Sequence, residues 1–397
     1  EAREQCSAEY VHELGEHALI PGLVNAHTHA AMNLMRGIAD DLPLMTWLQE
    51  HIFPAEAANM SPEFCHDGVE AAAAEMIAGG VTCFNDMYFF PEVTARVASR
   101  AGMRLTAGMI LIDFPTPYGS GPDDYIDKGL ALHDAWQGDP LVTTAFAPHA
   151  PYTVAEDQLR RVATLADELA CPVHIHLHET ADEVRMSVDA TGERPLARLA
   201  ALGLVNPGLI AAHLTQLTDD EIRQLADAGA TVLHCPEANL KLASGCCRVQ
   251  QLADAGVNVA LGTDGVASNN DLDLFGEMRS AALLGKIVAA DAAALPAPDV
   301  LTMATLNGAR ALGRDDTIGS LIPGKEADIT AVDLGVIESQ PVYDPISQLV
   351  YSTGRNQVTD VWVAGRQLLH DRKLLTLERD SIRSRLDAWR EKLKVNA

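Results

Sequence analysis

The sequence is short of positive charge and of paired cysteines, and it has no long apolar run; each shortage removes a class of function. Lys plus Arg number 29 against 55 Asp plus Glu, a formal net charge of -26. A surface this acidic repels phosphate backbones and anionic lipid, so neither nucleic acid nor a membrane is an expected partner. Seven cysteines, Cys6, Cys65, Cys83, Cys171, Cys235, Cys246 and Cys247, are scattered without a CxxC pair. That pattern argues against a disulfide framework and a thiolate zinc site, and it predicts a reducing, cytoplasmic setting. No stretch approaches 18 unbroken apolar residues, and the opening EAREQCSAEY is polar and mixed in charge; membrane insertion and secretion are not expected. Neither GxGxxG nor GxxxxGK[ST] occurs, which removes the usual phosphate cradles.

What is present is a run of eight short β-rich segments separated by helix-like stretches: LVNAHTH (23 to 29), VTCFNDM (81 to 87), RLTAGMIL (104 to 111), VTTAFAPH (142 to 149), VHIHLHE (173 to 179), LIAAHLT (209 to 215), TVLHCP (231 to 236) and NVALGTD (258 to 264). Strands that alternate with helical patterns such as EDQLRRVATLADELA imply βα units and a parallel sheet. Most of the runs end in a residue capable of chemistry, among them His27 and His29, Asp86, His149, His176 and Glu179, His213, His234 and Asp264. A closed barrel gathers groups of this kind at the C-terminal ends of its strands, whereas a doubly wound sheet concentrates them at one switch point. The expected fold is therefore α/β: a (β/α)8 TIM-like barrel over residues 21–317. From about Ile318 the chain changes to short strands with Gly and Asp turns, in ITAVDL and DVWVAGRQLL. Residues 1–20 and 318–397 are expected to form a small discontinuous β-sandwich domain ending in a docked helix, SIRSRLDAWREKL.

His27 and His29 are two apart on a strand, so both imidazoles face the barrel interior. His174, His176 and His178 share one face of the fifth run, and alternation alone leaves open which of them reaches a metal. Asp264 ends the eighth run, which a closed barrel places beside the first. Three neutral nitrogens and one carboxylate suit zinc with room for a water, while iron and manganese stay open.

PGLVNAHTHAAMNLMRGIADDLPLMTWL, VHIHLHETADEV, HLTQLTDDEI, HCPEANLKLASG and LGTDGVASNNDLDLF resemble the amidohydrolase superfamily, and within it the deaminases of 5′-methylthioadenosine and S-adenosylhomocysteine. The resemblance runs over nearly the whole chain. It implies His176 as the ligand on the fifth strand, opening an HxxE pattern closed by Glu179, with His174 deeper in the barrel and His178 structural. It implies that Glu56, in WLQEHIFPAE, contacts the ribose and that His149 faces the nucleoside; Ser268 is placed among the substrate contacts with Glu179 and Asp264. Binuclear members bridge two metals with a carboxylated lysine, yet the only lysine before His176 is Lys128, in a helix-like stretch, so one zinc per subunit is expected.

The expected reaction is hydrolytic loss of the exocyclic amine as ammonia, giving the inosine analogue. Zinc would supply an activated water. Asp264 would accept its proton, Glu179 would deliver a proton to the ring, and His213 would stabilise the developing tetrahedral oxygen. A triazine or guanine hydrolase of the same superfamily, removing chloride or an amine, is the nearest alternative; Glu179 favours amine loss, which needs a proton donor. A silent barrel scaffold is the alternative from another class. The expected partner is a small purine nucleoside, and a homo-oligomer is compatible with the sequence. Relatives carry a longer β segment before the barrel, whereas this chain reaches LIPGLVNAHTH after only about 18 residues; its native start is expected to extend before Glu1.

Overall fold

The computed structural model describes residues 10–394; Cys6 and the first part of the segment 1–20 lie outside them. A short strand, β1 (His17–Pro21), is followed by eight parallel strands: β2 (Leu23–Thr28), β3 (Val81–Asp86), β4 (Arg104–Leu111), β5 (Val142–Pro148), β6 (Val173–Leu177), β7 (Leu209–His213), β8 (Thr231–His234) and β9 (Asn258–Leu261). They pair in chain order. The ring closes at its rim, where Thr28 bridges to Asp264 and the Asp264 amide donates to the His27 carbonyl at 3.0 Å. Each strand faces other strands inward and helices outward, which is why these runs are almost wholly buried; all eight residues of β4 are.

Gly262 permits the closure. A Cβ there would stand 2.7 Å from the His27 Cβ, so a larger residue would push β2 away from β9. The helices between strands begin where the sequence provides caps. Thr218 and Glu221 form a reciprocal capping box at Asp219–Ala228, which offsets two of the helix's unpaired N–H groups. Lys128 lies on the helix Pro122–Trp136, paired with Asp124 at 3.0 Å and 40% exposed, far from any bridging position in the barrel.

The remaining strands, β10 (Ile329–Asp333), β11 (Val358–Val363), β12 (Arg366–His370) and β13 (Lys373–Leu374), join β1 in an antiparallel sheet of order β1-β10-β11-β12-β13. The small sheet therefore draws on both ends of the described chain. Ala364 and Gly365, with φ of 49° and 79°, make the two-residue turn between β11 and β12, whose twist matches the flanking strands. The layer packed on this sheet is helical: the barrel helix Pro62–Ala78 lies against β11, β12 and β13. The C-terminal helix Arg379–Lys394 docks on the same helix, where Trp389 Nε1 donates to Asp67 at 2.9 Å and its ring meets Phe64 edge-on. Sheet and barrel are further joined by Arg104 at the start of β4, which is 1% exposed and forks onto the buried Asp328 at 2.8 and 2.9 Å. Among the described residues no helix is long and apolar enough to cross a membrane.

Candidate metal centre and active site

The ligating atoms of His27, His29, His176 and Asp264 all lie within 4.8 Å of one another at the C-terminal mouth of the barrel. His27 and His29 come from β2 and the residue after it, His176 from β6 and Asp264 from just beyond β9. Their Nε2 atoms converge: His29 Nε2 is 3.2 Å from His176 Nε2, and Asp264 Oδ1 is 3.3 Å from His27 Nε2 and 3.1 Å from His29 Nε2. The Nδ1 atoms are turned outward, where His176 meets the carbonyl of His149 at 2.7 Å, His29 that of Met87, and His27 the ring of His174 at 2.8 Å. Rings held by their outer nitrogens have their inner lone pairs free, which is how metal-ligating histidines are oriented.

The donor set fits a zinc ion. His27 Nε2 is buried with no hydrogen-bond partner, a cost that a cation in the centre removes. Electrostatics agree. Burial opposes charge on every group, yet the adjacent His27 and His29 rings hold Asp264 well below the usual carboxylate range. His29 is pushed up to about 9, against the effect of burial, by Asp264, while burial holds His27 down at about 4. A carboxylate ringed by three imidazoles attracts positive charge. Asp264 has a left-handed backbone, φ 61°, and Ser268 Oγ donates to its second oxygen at 2.7 Å; Ser268 thus sits beside a ligand oxygen and also lines the cavity. Strain gathers at these strand ends, with His178 at φ 51° and His213 at φ 76°, as it does where geometry serves a site.

A cavity of about 310 Å³ opens over the cluster, and Glu56, His149, Glu179, His213, Asp264 and Ser268 all line it. Glu179 is 6% exposed and receives Ser244 Oγ at 3.4 Å; burial raises its pKa above the usual carboxylate value. His213 approaches Asn239 Oδ1 through Nδ1 at 2.9 Å. With the amide oxygen accepting, Nδ1 is the donor and Nε2 faces the site with its lone pair. His149 Nδ1 meets Thr153 Oγ1 at 2.9 Å, and burial lowers the ring's pKa to about 3, so it enters the cavity neutral. Glu56 comes from the helix Phe53–Asn59. Tyr88 Oη donates to it at 2.6 Å, and burial raises its pKa to about 7.

Asp86 and His234, which also end strands, do not line the cavity. Asp86 instead accepts the Ala30 amide at 2.6 Å and the Thr28 hydroxyl at 3.0 Å, bracing the chain around His29. His178 accepts the Leu196 amide at 3.1 Å. The sequence reading missed Tyr88, Asn239 and Glu183. Glu183 receives the amides of His178 at 3.0 Å and Glu179 at 2.6 Å, clamping the segment that carries Glu179. Its signal was present, since Thr180 and Glu183 form the T-x-x-E start of the next helix. Tyr88 and Asn239 had no such signal.

Residues 18–368 match the amidohydrolase family. The chain is 53% identical over 375 residues to a 5-methylthioadenosine/S-adenosylhomocysteine deaminase of Teredinibacter turnerae, covering 94% of this chain and 85% of that one. An adenosine deaminase from Xanthomonas campestris, solved with bound zinc, superposes with a TM-score of 0.95 at 55% identity, covering 96% of this chain and 87% of that one. A zinc-bound atrazine chlorohydrolase from Arthrobacter aurescens superposes at 0.88 with 25% identity, covering 94% and 88%.

Proposed function

The chain belongs to the amidohydrolase family, and we propose that within it this protein hydrolyses the exocyclic amine of 5′-methylthioadenosine, S-adenosylhomocysteine or a closely related adenosine, releasing ammonia and the inosine analogue. The observation that carries the reading is the meeting of two sites in one cavity: a three-histidine, one-aspartate cluster with Glu179 beside it, and the buried carboxylate Glu56 within the same walls. The first suits loss of an amine from a ring, and the second suits a cis diol. The names of the relatives agree with both.

His27, His29, His176 and Asp264 would hold one zinc, whose contribution is to make water nucleophilic near neutral pH. The chain's own residues do the rest. His213, with its proton fixed on Nδ1, offers Nε2 to take a proton from the attacking water and then presents N–H to the oxygen that gains charge. Asp264, one oxygen held by Ser268, orients the water and shares that proton. Glu179, whose burial favours the neutral acid, delivers its one proton to the ring nitrogen; the proton taken from the water passes to the departing amine, and the hydroxyl proton released as the carbonyl forms returns Glu179 to its acid form. His149 meets the base from the side of β5. Glu56 accepts hydrogen bonds from the 2′ and 3′ hydroxyls, since an ionised carboxylate is an acceptor with two oxygens.

A panel of 5′-methylthioadenosine, S-adenosylhomocysteine, adenosine, adenine, AMP, guanine and an aminotriazine, assayed for ammonia with the zinc-loaded protein and metal analysis in parallel, tests the assignment. The 5′-thioether nucleosides should lead. Faster turnover of guanine or the triazine, or of adenine as readily as its nucleosides, would move the substrate to another ring.

A further inference from the structure

His174 is used by no step of that chemistry, although it lies in the barrel two residues before His176 and is completely buried. We propose that His174 is a positioning residue for the metal: it accepts the Nδ1 proton of His27 and so holds His27 in the one tautomer whose Nε2 can ligate. The proposal rests on the metal-site reading above.

The argument is one of proton placement. A neutral imidazole carries its proton on one nitrogen and a lone pair on the other. His27 can give its inward Nε2 to a metal only if its proton is on Nδ1, and Nδ1 stands 2.8 Å from His174 Nε2. A hydrogen bond of that length between two buried rings needs one donor and one acceptor, so His174 must present a lone pair at Nε2. Its own proton is then on Nδ1, which faces the side-chain amide of Asn85 at 3.1 Å. Asn85 Oδ1 is buried and has no partner. As placed, it is the Asn85 amide nitrogen that faces His174 Nδ1, and the same nitrogen donates to the Ala26 carbonyl at 2.9 Å; the metal-loaded direction requires this amide to turn end for end, giving up the Ala26 bond so that its unpartnered oxygen receives the His174 proton. Metal loading thus sets the direction of a chain running from His27 through His174 to Asn85.

His27 is unlike the other two histidines of the cluster. His29 and His176 direct their Nδ1 atoms to backbone carbonyls, of Met87 and His149, which any sequence would supply. Only for His27 is the acceptor a side chain. One substitution can therefore remove it without touching a ligand.

The test compares the parent with His174→Gln and His174→Leu in zinc competition against a chromophoric chelator. Glutamine returns an oxygen acceptor near the place of Nε2, and leucine fills the space without one. Loss of an outer partner of a metal-bound histidine weakens binding roughly 10- to 100-fold, so the leucine protein should fall by that much while the glutamine protein stays within about 3-fold of the parent. A leucine protein that binds zinc as tightly as the parent overturns the proposal, and so does a glutamine protein that falls as far as leucine. A parent that binds no zinc removes the metal site itself, a different failure. Should the leucine protein not fold, the zinc-loaded parent decides, with 15N-labelled histidine read by NMR: His174 protonated on Nδ1 with Nε2 accepting supports the assignment, and a proton on Nε2 overturns it.

Discussion

Glu56 is buried among apolar side chains, yet its proposed task requires charge. Burial raises its pKa to about 7, while the Tyr88 hydroxyl and the nearby His29 pull it down. A divalent cation in the adjacent centre would lower it further. The working form is the carboxylate, so kcat/KM for the nucleoside should be full above this pKa and fall as pH drops through it, with the acid limb at or below about pH 7. Tyr88→Phe removes a hydrogen bond that favours the charged form and should move the limb upward; a pH profile of kcat/KM checks this, and an unchanged limb would take Glu56 out of the titration. Glu179→Gln keeps the shape of the side chain but has no acid proton to give. It should retain its zinc and lose roughly 100- to 10,000-fold in kcat, the usual yield of a positioned acid or base. Near-normal turnover in that variant would remove Glu179 from the mechanism. His149→Ala should raise KM or lower kcat/KM with zinc content intact, and loss of the metal would put His149 among the ligands.

Between strand and helix, the segment after β6 is clamped by a carboxylate that belongs to the next helix. Both Glu183 oxygens accept backbone N–H groups, from His178 and Glu179, at the point where His178 takes its left-handed conformation. Glu183→Ala leaves two buried donors unpaired, which should lower stability by about 2 kcal/mol and also depress kcat, because Glu179 loses the anchor of its backbone. Urea denaturation with kinetics on the same preparation measures both; a stability loss with kcat unchanged would make the clamp purely structural. The outer wall of the cavity comes from the segments around Leu44–Met60 and Ile110–Pro117, with Trp47, Phe53, Met60 and Phe114 facing inward, and among the described residues no lysine or arginine lines it. A 5′ phosphate would enter that wall without a counter-ion, so AMP should be turned over at least 100-fold less efficiently than 5′-methylthioadenosine, taking one unpaired buried charge at about 3 kcal/mol or more. Comparable kcat/KM values for the two would refute this account of the wall.

The barrel and the small sheet meet in a joint that is packed and charged. Arg104 forks onto Asp328 with both side chains 1% exposed. Removing only the arginine strands a buried carboxylate, so Arg104→Met should cost about 3–5 kcal/mol in denaturant unfolding. A loss below 1 kcal/mol would mean that water reaches the joint. A metal held by His27, His29, His176 and Asp264 would tie the first strand to the last and to β6, so its binding would stabilise the folded ring. At free zinc 1,000-fold above Kd the gain is about 4 kcal/mol. Chelation should therefore lower Tm, and restoring zinc should return it; a Tm indifferent to chelator would mean that these four residues hold no structural charge of the ring.

The eight barrel strands could be read from the sequence because a strand covered on both faces is apolar along its length, whatever its neighbours are. His27 and His29 were readable for a related reason: alternation is a local rule, and it puts both on one face. The same rule could not choose between His174 and His176, which share a face of β6. What separates them is height in the ring. His176 stands at the rim, with Nε2 3.2 Å from His29 Nε2, while His174 sits one pleat lower and meets the outer nitrogen of His27. Resemblance to a family pointed to Glu56, but only the folding of Phe53–Asn59 over the mouth brings it against Tyr88. Asn239 and Tyr88 were silent because their roles consist of partners distant in sequence, His213 and Glu56. The sequence by itself determined the periodic and covalent features: which runs become strands, which side chains leave each strand on the inner face, and the shortage of positive charge. Tertiary structure alone decided which inward-facing groups stand at the same level, and hence which imidazole joins the cluster at the mouth and which meets another imidazole below it, because depth in a closed ring follows from strand tilt and stagger, to which all eight strands contribute.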